Sequence, residues 1–342
     1  MAETYDALLL VSFGGPEGPD DVIPFLEIVL RGRNVPRERM MQVAEHYQHF
    51  GGISPINAQN RELIAALQSS LDQHGPHLPV YWGNRNWHPF LADTLREMSR
   101  DGIGRCLAFV TSAYSSYSGC RQYREDIQHA RERVGPEAPE VHKLRAFFNH
   151  PGFIQGVAAR VREAQQVIPP DRRPSTPLLF AAHSIPTSMA DTCRYETQLR
   201  EACRLVAAAV GNPPWQLGFQ SRSGPPQQPW LEPDIGEVLA QLADQGDITD
   251  VIVEPIGFVS DHMEVMFDLD VEAKELCDRR GLNMIRAGTV GTQPDFVEMI
   301  RQLVLERTED AAVESLGALG VLPDFCPPDC CPAPRRPGRP PD

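Results

Sequence analysis

Short apolar runs recur along the chain, each followed by a turn rich in glycine or serine and then by residues whose apolar members return every three or four positions. The runs at 7–12 (ALLLVS), 80–83, 105–111 (RCLAFVT) and 141–144 read as strands, and the 3.6-residue spacing predicts helices over 20–30, 64–71, 92–98 and 122–134. Runs that are apolar at nearly every position are buried on both faces, as in a parallel sheet covered by helices. The pattern then starts again. A helix over 150–167 and a proline-rich hinge at 169–177 lead to strands at 177–182 (PLLFAA), 216–220, 251–258 and 283–287. Helices over 195–210, 235–245 and 295–307 alternate with them. The expected fold is α/β: two Rossmann-like domains, each a four-stranded parallel sheet flanked by helices, with a cleft between them. The expected divisions are 1–172, 173–307 and a tail of cysteine and proline at 308–342.

One stretch departs from ordinary amphipathic patterning. After the apolar run of Val251 to Phe258, Gly257 and Ser260 loosen the chain, and Glu264, Asp268 and Glu272 follow at i, i+4 and i+8. On a helix they form one acidic stripe. Such a stripe is usually a solvated face. Here Val265, Met266, Phe267 and Leu269 crowd the same segment, and the helix starts just beyond a buried strand. In open parallel sheets that is where ligands bind. Carboxylates placed there can hold a cation or pass protons.

His183 stands just past another strand of the same half. If the two strands are neighbours, His183 and Glu264 open into one crevice. A histidine facing a carboxylate suits a divalent first-row metal, or a general base with an acceptor to carry the proton onward. In the first half, Gly14-Gly15-Pro16 follows the first strand without the spacing of a phosphate loop. The segment 47–56, YQHFGGISPI, mixes aromatic, hydroxyl and glycine residues. It reads either as a plain surface loop or as the lip of a site for a flat, anionic ligand.

Composition narrows the function classes. A formal net charge of −14 over 342 residues leaves no basic footprint for nucleic acid. No run of about 18 apolar residues exists to span a membrane. The start, MAETYDALLLVSFGG, lacks a basic segment before its apolar run, so it reads as a first strand and the expected compartment is the cytoplasm. Eight cysteines then suggest thiols or metal ligands before disulfides. Oligomeric state is not readable from the chain.

Taken together, SFGGP (12–16, with Ser12 first), GGISPI (51–56), SAYSSYS (112–118), HSIP (183–186), FQSRSGP (219–225), PWLEPD (229–234) and GFVSDHMEVMFDLD (257–270) resemble the ferrochelatase family, over about residues 5–307. The form is most similar to actinobacterial-type enzymes that use coproporphyrin III. The resemblance implies the type II chelatase fold and insertion of Fe²⁺ into a porphyrin, coproporphyrin III or protoporphyrin IX, with release of two protons. It implies His183 as the catalytic histidine, Glu264 as its facing carboxylate and metal partner, and Asp268 and Glu272 as the path for protons or metal behind it. Phe13 takes the place of a tyrosine found in several bacterial relatives and cannot supply a hydroxyl. Phe13, Arg31, Arg33, Tyr47, Ser54 and Tyr123 are the candidate porphyrin contacts, the polar ones toward propionates. A sirohydrochlorin-type cobalt or nickel chelatase and a non-catalytic haem-binding protein are the rival readings.

The tail gathers Cys326, Cys330 and Cys331 among prolines. Three thiols need a fourth ligand for a tetrahedral site or a [2Fe–2S] cluster. Some relatives carry such a cluster, and the resemblance makes one an expectation here, with Cys193 as the distal ligand and Cys203 as the alternative. In animal relatives the distal cysteine falls near 154–157, where this chain has none. Cys106 and Cys277 read as core thiols.

Overall fold

A computed structural model of the chain describes residues 4–32, 35–224 and 227–333. In the first half β1 (Ala7–Ser12), β2 (Val80–Asn84), β3 (Arg105–Val110) and β4 (Glu140–Lys143) pair in parallel, in the order β2-β1-β3-β4. In the second, β5 (Leu178–His183), β6 (Trp215–Gln220), β7 (Asp250–Glu254) and β8 (Asn283–Arg286) pair in parallel as β6-β5-β7-β8. The expected pair of four-stranded parallel sheets is therefore present.

The central strands show why their sequences are apolar throughout. Leu8 and Leu10 of β1 join the core containing Leu63 and Leu67 of α3 (Ile56–His74). Ala7, Leu9 and Val11 join the core containing Leu95 of α4 (Leu91–Arg100) and Ile127 of α5 (Gln122–Val134). Alternation sends neighbouring side chains to opposite faces, and both faces are covered. In β5, Phe180 and Ala182 pack toward α6 (Pro151–Gln166) and α8 (Tyr195–Ala209), whereas Leu179 and Ala181 pack toward α9 (Ile235–Asp244) and α11 (Lys274–Arg280). The one-turn α7 (Thr187–Ala190) follows HSIP, and α12 (Pro294–Thr308) closes the core against α3 and α6.

Two helices differ from the sequence expectation. The helix expected over 20–30 is α1 (Val22–Val29), entered through a 3-10 turn at Pro19–Asp21. The helix α2 (Arg37–His49) was not expected, and Tyr47 to His49, read as loop, are its last turn. Only Met40 and Ala44 of α2 are buried, against Phe25 and Leu26 of α1, so its apolar face is too narrow to stand out in the sequence. The acidic segment begins as α10 (Met263–Val265) but runs from Met266 to Ala273 as a π-helix. Its i→i+5 bonding is not encoded by the i, i+4 spacing of the acids. Among the described residues no helix is long and apolar enough to cross a membrane.

Three contacts tie the halves together beneath the cleft. Tyr114 Oη donates to the Ile256 carbonyl at 3.0 Å, and Gln198 bonds Ser115 through both its amide atoms, at 2.7 and 3.1 Å. Gln59 of α3 accepts from the backbone N–H of Asp261 at 2.8 Å.

Candidate active site

The site is assembled at the C-terminal ends of the second sheet. β5 ends at His183 and pairs with β6 so that His183 stands opposite Gln220. The turn after β7 brings Gly257 so close to β5 that a Cβ there would lie 2.8 Å from the Ala182 Cα. Only glycine permits that approach, and it delivers the chain to His262 and Glu264 above His183.

His183 Nε2 lies 3.5 Å from Glu264 Oε2, and Nδ1 bonds the Ser184 carbonyl at 2.5 Å. The carbonyl accepts, so Nδ1 carries a proton and Nε2 is the atom turned to the carboxylate. The two side chains are 35% and 46% exposed, open to the cleft. Burial works against charging His183, but the Glu264 carboxylate outweighs it and raises the imidazole to about 9. Burial would raise Glu264 too, yet His183 brings it down to about 2. The resting pair is imidazolium and carboxylate.

Asp268 has the opposite environment. Burial first, then the adjoining Glu264 charge, push it up to about 7. Gln220 Nε2 donates to Asp268 Oδ2 at 3.1 Å, and the Ser221 hydroxyl donates to the same oxygen. Ser221 also lies near Glu264. It holds φ at +61°, a left-handed conformation that a serine adopts at a cost of about 1–3 kcal/mol. Gln220 and Ser221 are site residues that the sequence reading passed over. Their signals were membership of the FQSRSGP motif and position, at the end of a strand beside that of His183. Glu272 is exposed, one step further along the π-helix, where its charge reaches His46 of α2.

The first half supplies the facing wall. Tyr47 of α2 is half-buried and near enough to Glu264 that the carboxylate, after burial, raises its phenol. Phe13 is 37% exposed, its ring edge against Phe25. Ser54 is buried against Gly15, where a Cβ would meet its side chain at 2.7 Å. Arg31 is exposed, and Arg33 lies outside the described residues. Tyr123 is buried on α5, with the Arg85 guanidinium 4.4 Å from its ring centre.

A second group forms where the tail returns. Cys120, after β3, lies near Cys326, and Cys326 lies near Cys330. Cys330 Sγ is 3.7 Å from Cys331 Sγ, and Cys193 feels the charge of Cys330. The Arg121 guanidinium donates to the Cys330 carbonyl at 3.3 Å. All eight cysteines are free thiols. Cys203, the alternative distal ligand, is fully buried in the core of α8, as its spacing from Leu199 predicts. Among the described residues no set of three or more His, Cys, Asp or Glu side chains is arranged to hold a metal ion.

Two sheets of this order with a charged histidine–carboxylate site at the strand ends define a chelatase-like protein. SirB from Bacillus subtilis, solved with Fe3+, matches the fold with a TM-score of 0.57 at 14% identity, over 90% of this chain and 97% of its own. The multi-domain DR2241 from Deinococcus radiodurans, described as structurally similar to chelatases, matches with a TM-score of 0.55 at 15% identity over 90% of this chain and 56% of its own. At the sequence level the family model for ferrochelatase matches residues 5–308. A ferrochelatase of Rhodopirellula baltica is 61% identical across 98% of this chain and 97% of the relative. Coproporphyrin III ferrochelatases of Streptomyces coelicolor and Nocardia farcinica are 50% and 51% identical, each over 97% of this chain and over 94% and 98% of their own length. The chain belongs to the ferrochelatase family. It is a porphyrin metal chelatase, a lyase of haem biosynthesis whose substrates are a porphyrin and ferrous iron.

Proposed function

We propose that this chain inserts Fe²⁺ into coproporphyrin III, with His183 and Glu264 as the catalytic pair and Asp268 and Glu272 as the path behind them. The observation that carries the reading is the 3.5 Å pair of His183 and Glu264 backed by an Asp268 raised to about 7. Metallation must remove two pyrrole protons near neutral pH, so it needs an acceptor and an exit. An incoming dication competes with the imidazolium for Glu264. That competition lowers the affinity of His183 for its proton, so Nε2 first releases that proton to the acid path and solvent and can then take one from the ring. Asp268, poised near neutrality, passes protons toward Glu272 and solvent. A planar macrocycle hides its nitrogens. Contact of Phe13 with the ring, and of Arg31, Arg33, Tyr47, Ser54 and Tyr123 with propionates, holds it bent at a strain of about 1–5 kcal/mol.

The choice of coproporphyrin III is supported by the relatives at about half identity that bear that name. The test compares the two porphyrins by absorbance during turnover with Fe²⁺. A higher kcat/KM for protoporphyrin IX would overturn the preference. No turnover with either, in a protein that binds haem, would favour the non-catalytic alternative.

We also propose a [2Fe–2S] cluster at the tail, held by Cys326, Cys330, Cys331, Cys193 and the additional candidate Cys120. What supports it is that cysteines from three segments of the chain lie near one another there, although among the described residues they are not arranged as a ligand set in this structure. When bound, the cluster supplies a cross-link between the halves and the tail. The prolines at 327, 328 and 332 limit the entropy lost on ligation. Anaerobically purified protein should be reddish-brown with about two iron and two sulfide per chain. Colourless, iron-free protein with an unchanged Tm after truncation at Leu322 would sink the cluster.

A further inference from the structure

The stretch that bears Asp268 and Glu272 is a π-helix of eight residues, Met266–Ala273, and Glu264 stands just before it in α10. Such a wide turn is rare and needs outside support to persist in place of an α-helix. Its support comes from Arg286, the last residue of β8. Arg286 Nε donates to Asp270 Oδ1 at 2.7 Å and Nη2 to Asp270 Oδ2 at 3.3 Å. Nη1 donates to Asp261 Oδ1 at 2.9 Å and to the Ala287 carbonyl at 3.3 Å. Asp261 precedes Glu264 in the turn, and Asp270 sits between Asp268 and Glu272. One guanidinium thus grips the entry to the acidic segment and its middle. Asp261 is also the residue whose backbone N–H reaches Gln59 of α3, at 2.8 Å, with Gln59 Nε2 3.5 Å from Asp261 Oδ2. The side chains of Arg286 and Asp261 are only 18% and 15% exposed, so this grip is sheltered from competing water. No hydrogen bond or ion pair among the described residues joins Arg286 to His183, Glu264 or Asp268.

We propose that Arg286 is a positioning residue of the reaction. Its fork sets where the carboxylates of the π-helix stand above His183, and the chain Gln59–Asp261–Arg286–Asp270 fixes that position relative to the other half of the cleft. The inference rests on the reading of Glu264, Asp268 and Glu272 as the metal-side path. A fork is required because the two ends of the segment present separate carboxylates in different directions, which a guanidinium can bind at once and an ammonium cannot. Without it, Asp261 and Asp270 are left as like charges with nothing between them, and the segment shifts. Displacing catalytic groups by about 1 Å costs on the order of a hundredfold in rate.

The test uses the full-length protein with Fe²⁺ and whichever of the two porphyrins turns over. Arg286→Gln should lower kcat/KM for iron by about a hundredfold, while porphyrin affinity, read by fluorescence without iron, stays within about twofold. Arg286→Lys should recover little, since it restores the charge and not the fork. Asp270→Asn should cost less than Arg286→Gln, and the double variant should be no worse than Arg286→Gln alone. Should Arg286→Gln fail to fold, Asp270→Asn, altering the more exposed end of the clamp, still has to show its loss in iron kcat/KM with porphyrin affinity kept. Full activity in Asp270→Asn or in folded Arg286→Gln, full rescue by lysine, or porphyrin affinity falling as far as turnover would each overturn the inference. Glu264→Gln is the control that separates the two readings. If it stays active, the path itself is misread; if it is dead while Arg286→Gln is normal, only the clamp is wrong.

Discussion

The two halves repeat one strand order and use it for opposite purposes. In the first half a set of neutral polar groups under the strand ends is mutually bonded, with the Arg85–Asp126 ion pair beside it. Asn60 donates to the Ser12 hydroxyl at 2.8 Å, Asn57 to the carbonyls of Gly15 and His88, and Asn84 to Asn57 and to the His88 carbonyl. All four are buried. In the second half the same places hold His183, Glu264 and Asp268, charged or near titration and open to the cleft. The difference teaches how a common scaffold is divided. A wall for a flat apolar ring needs fixed loops, which buried amides bonded to one another provide at low cost. A wall that meets a dication and moves protons needs groups whose affinities differ, and partial exposure keeps them charged.

The comparison breaks if the first half also sets the rate, and the largest effects test that. His183→Ala should lower turnover by about 10²–10⁴-fold with the fold and porphyrin affinity intact. A correctly folded variant with near-normal turnover would remove His183 from the mechanism. Glu264→Gln should be nearly as damaging, because an amide keeps the shape and accepts no proton. Asp268→Asn or Glu272→Gln should slow the reaction less. Equal damage from Glu264→Gln and Glu272→Gln, measured by initial rates, would mean that the acids act as one unit.

Asn57→Ala sharpens the contrast from the other side. It removes the donor to the Gly15 loop and one of the two acceptors of Asn84, so we expect a loss of about 1–3 kcal/mol in stability and a raised porphyrin KM, with kcat retained. A fall in kcat alone would contradict the division of labour.

The smallest expected effect lies where the halves join. His150 caps α6, its Nδ1 accepting from the Gly152 N–H at 3.1 Å, and burial followed by the charge of Arg145 lowers it to about 4. An unfolded histidine titrates near 6.5. The native state therefore binds fewer protons. Its stability from this group is complete above about pH 6.5 and is lost progressively as pH falls toward 4. His150→Asn keeps a capping acceptor and should flatten the Tm between pH 7 and 4. An unchanged slope would place the acid sensitivity elsewhere.

The apolar runs of β1, β3, β5 and β7 determined the parallel sheets without help, since a strand covered on both faces has no polar alternation to disguise it. His183 and Glu264 were legible for a related reason: each stands directly past a buried strand, where the chain must emerge at the ligand side. Tertiary structure decided what depends on contacts distant in sequence. The acidic spacing gives neighbours on any helix, but the π-turn depends on bonds the spacing does not specify, and Arg286 lies beyond the segment it holds. The sequence offers Tyr123 as a hydroxyl for a propionate, and only the packing of α5 shows how deeply it is buried. Cys120 stands 206 positions before Cys326 by their numbering, at the end of a different sheet, and only the returning tail brings the two thiols together. Local patterning follows from which side chains avoid water; the partners of a polar side chain are set by where the whole chain has gone.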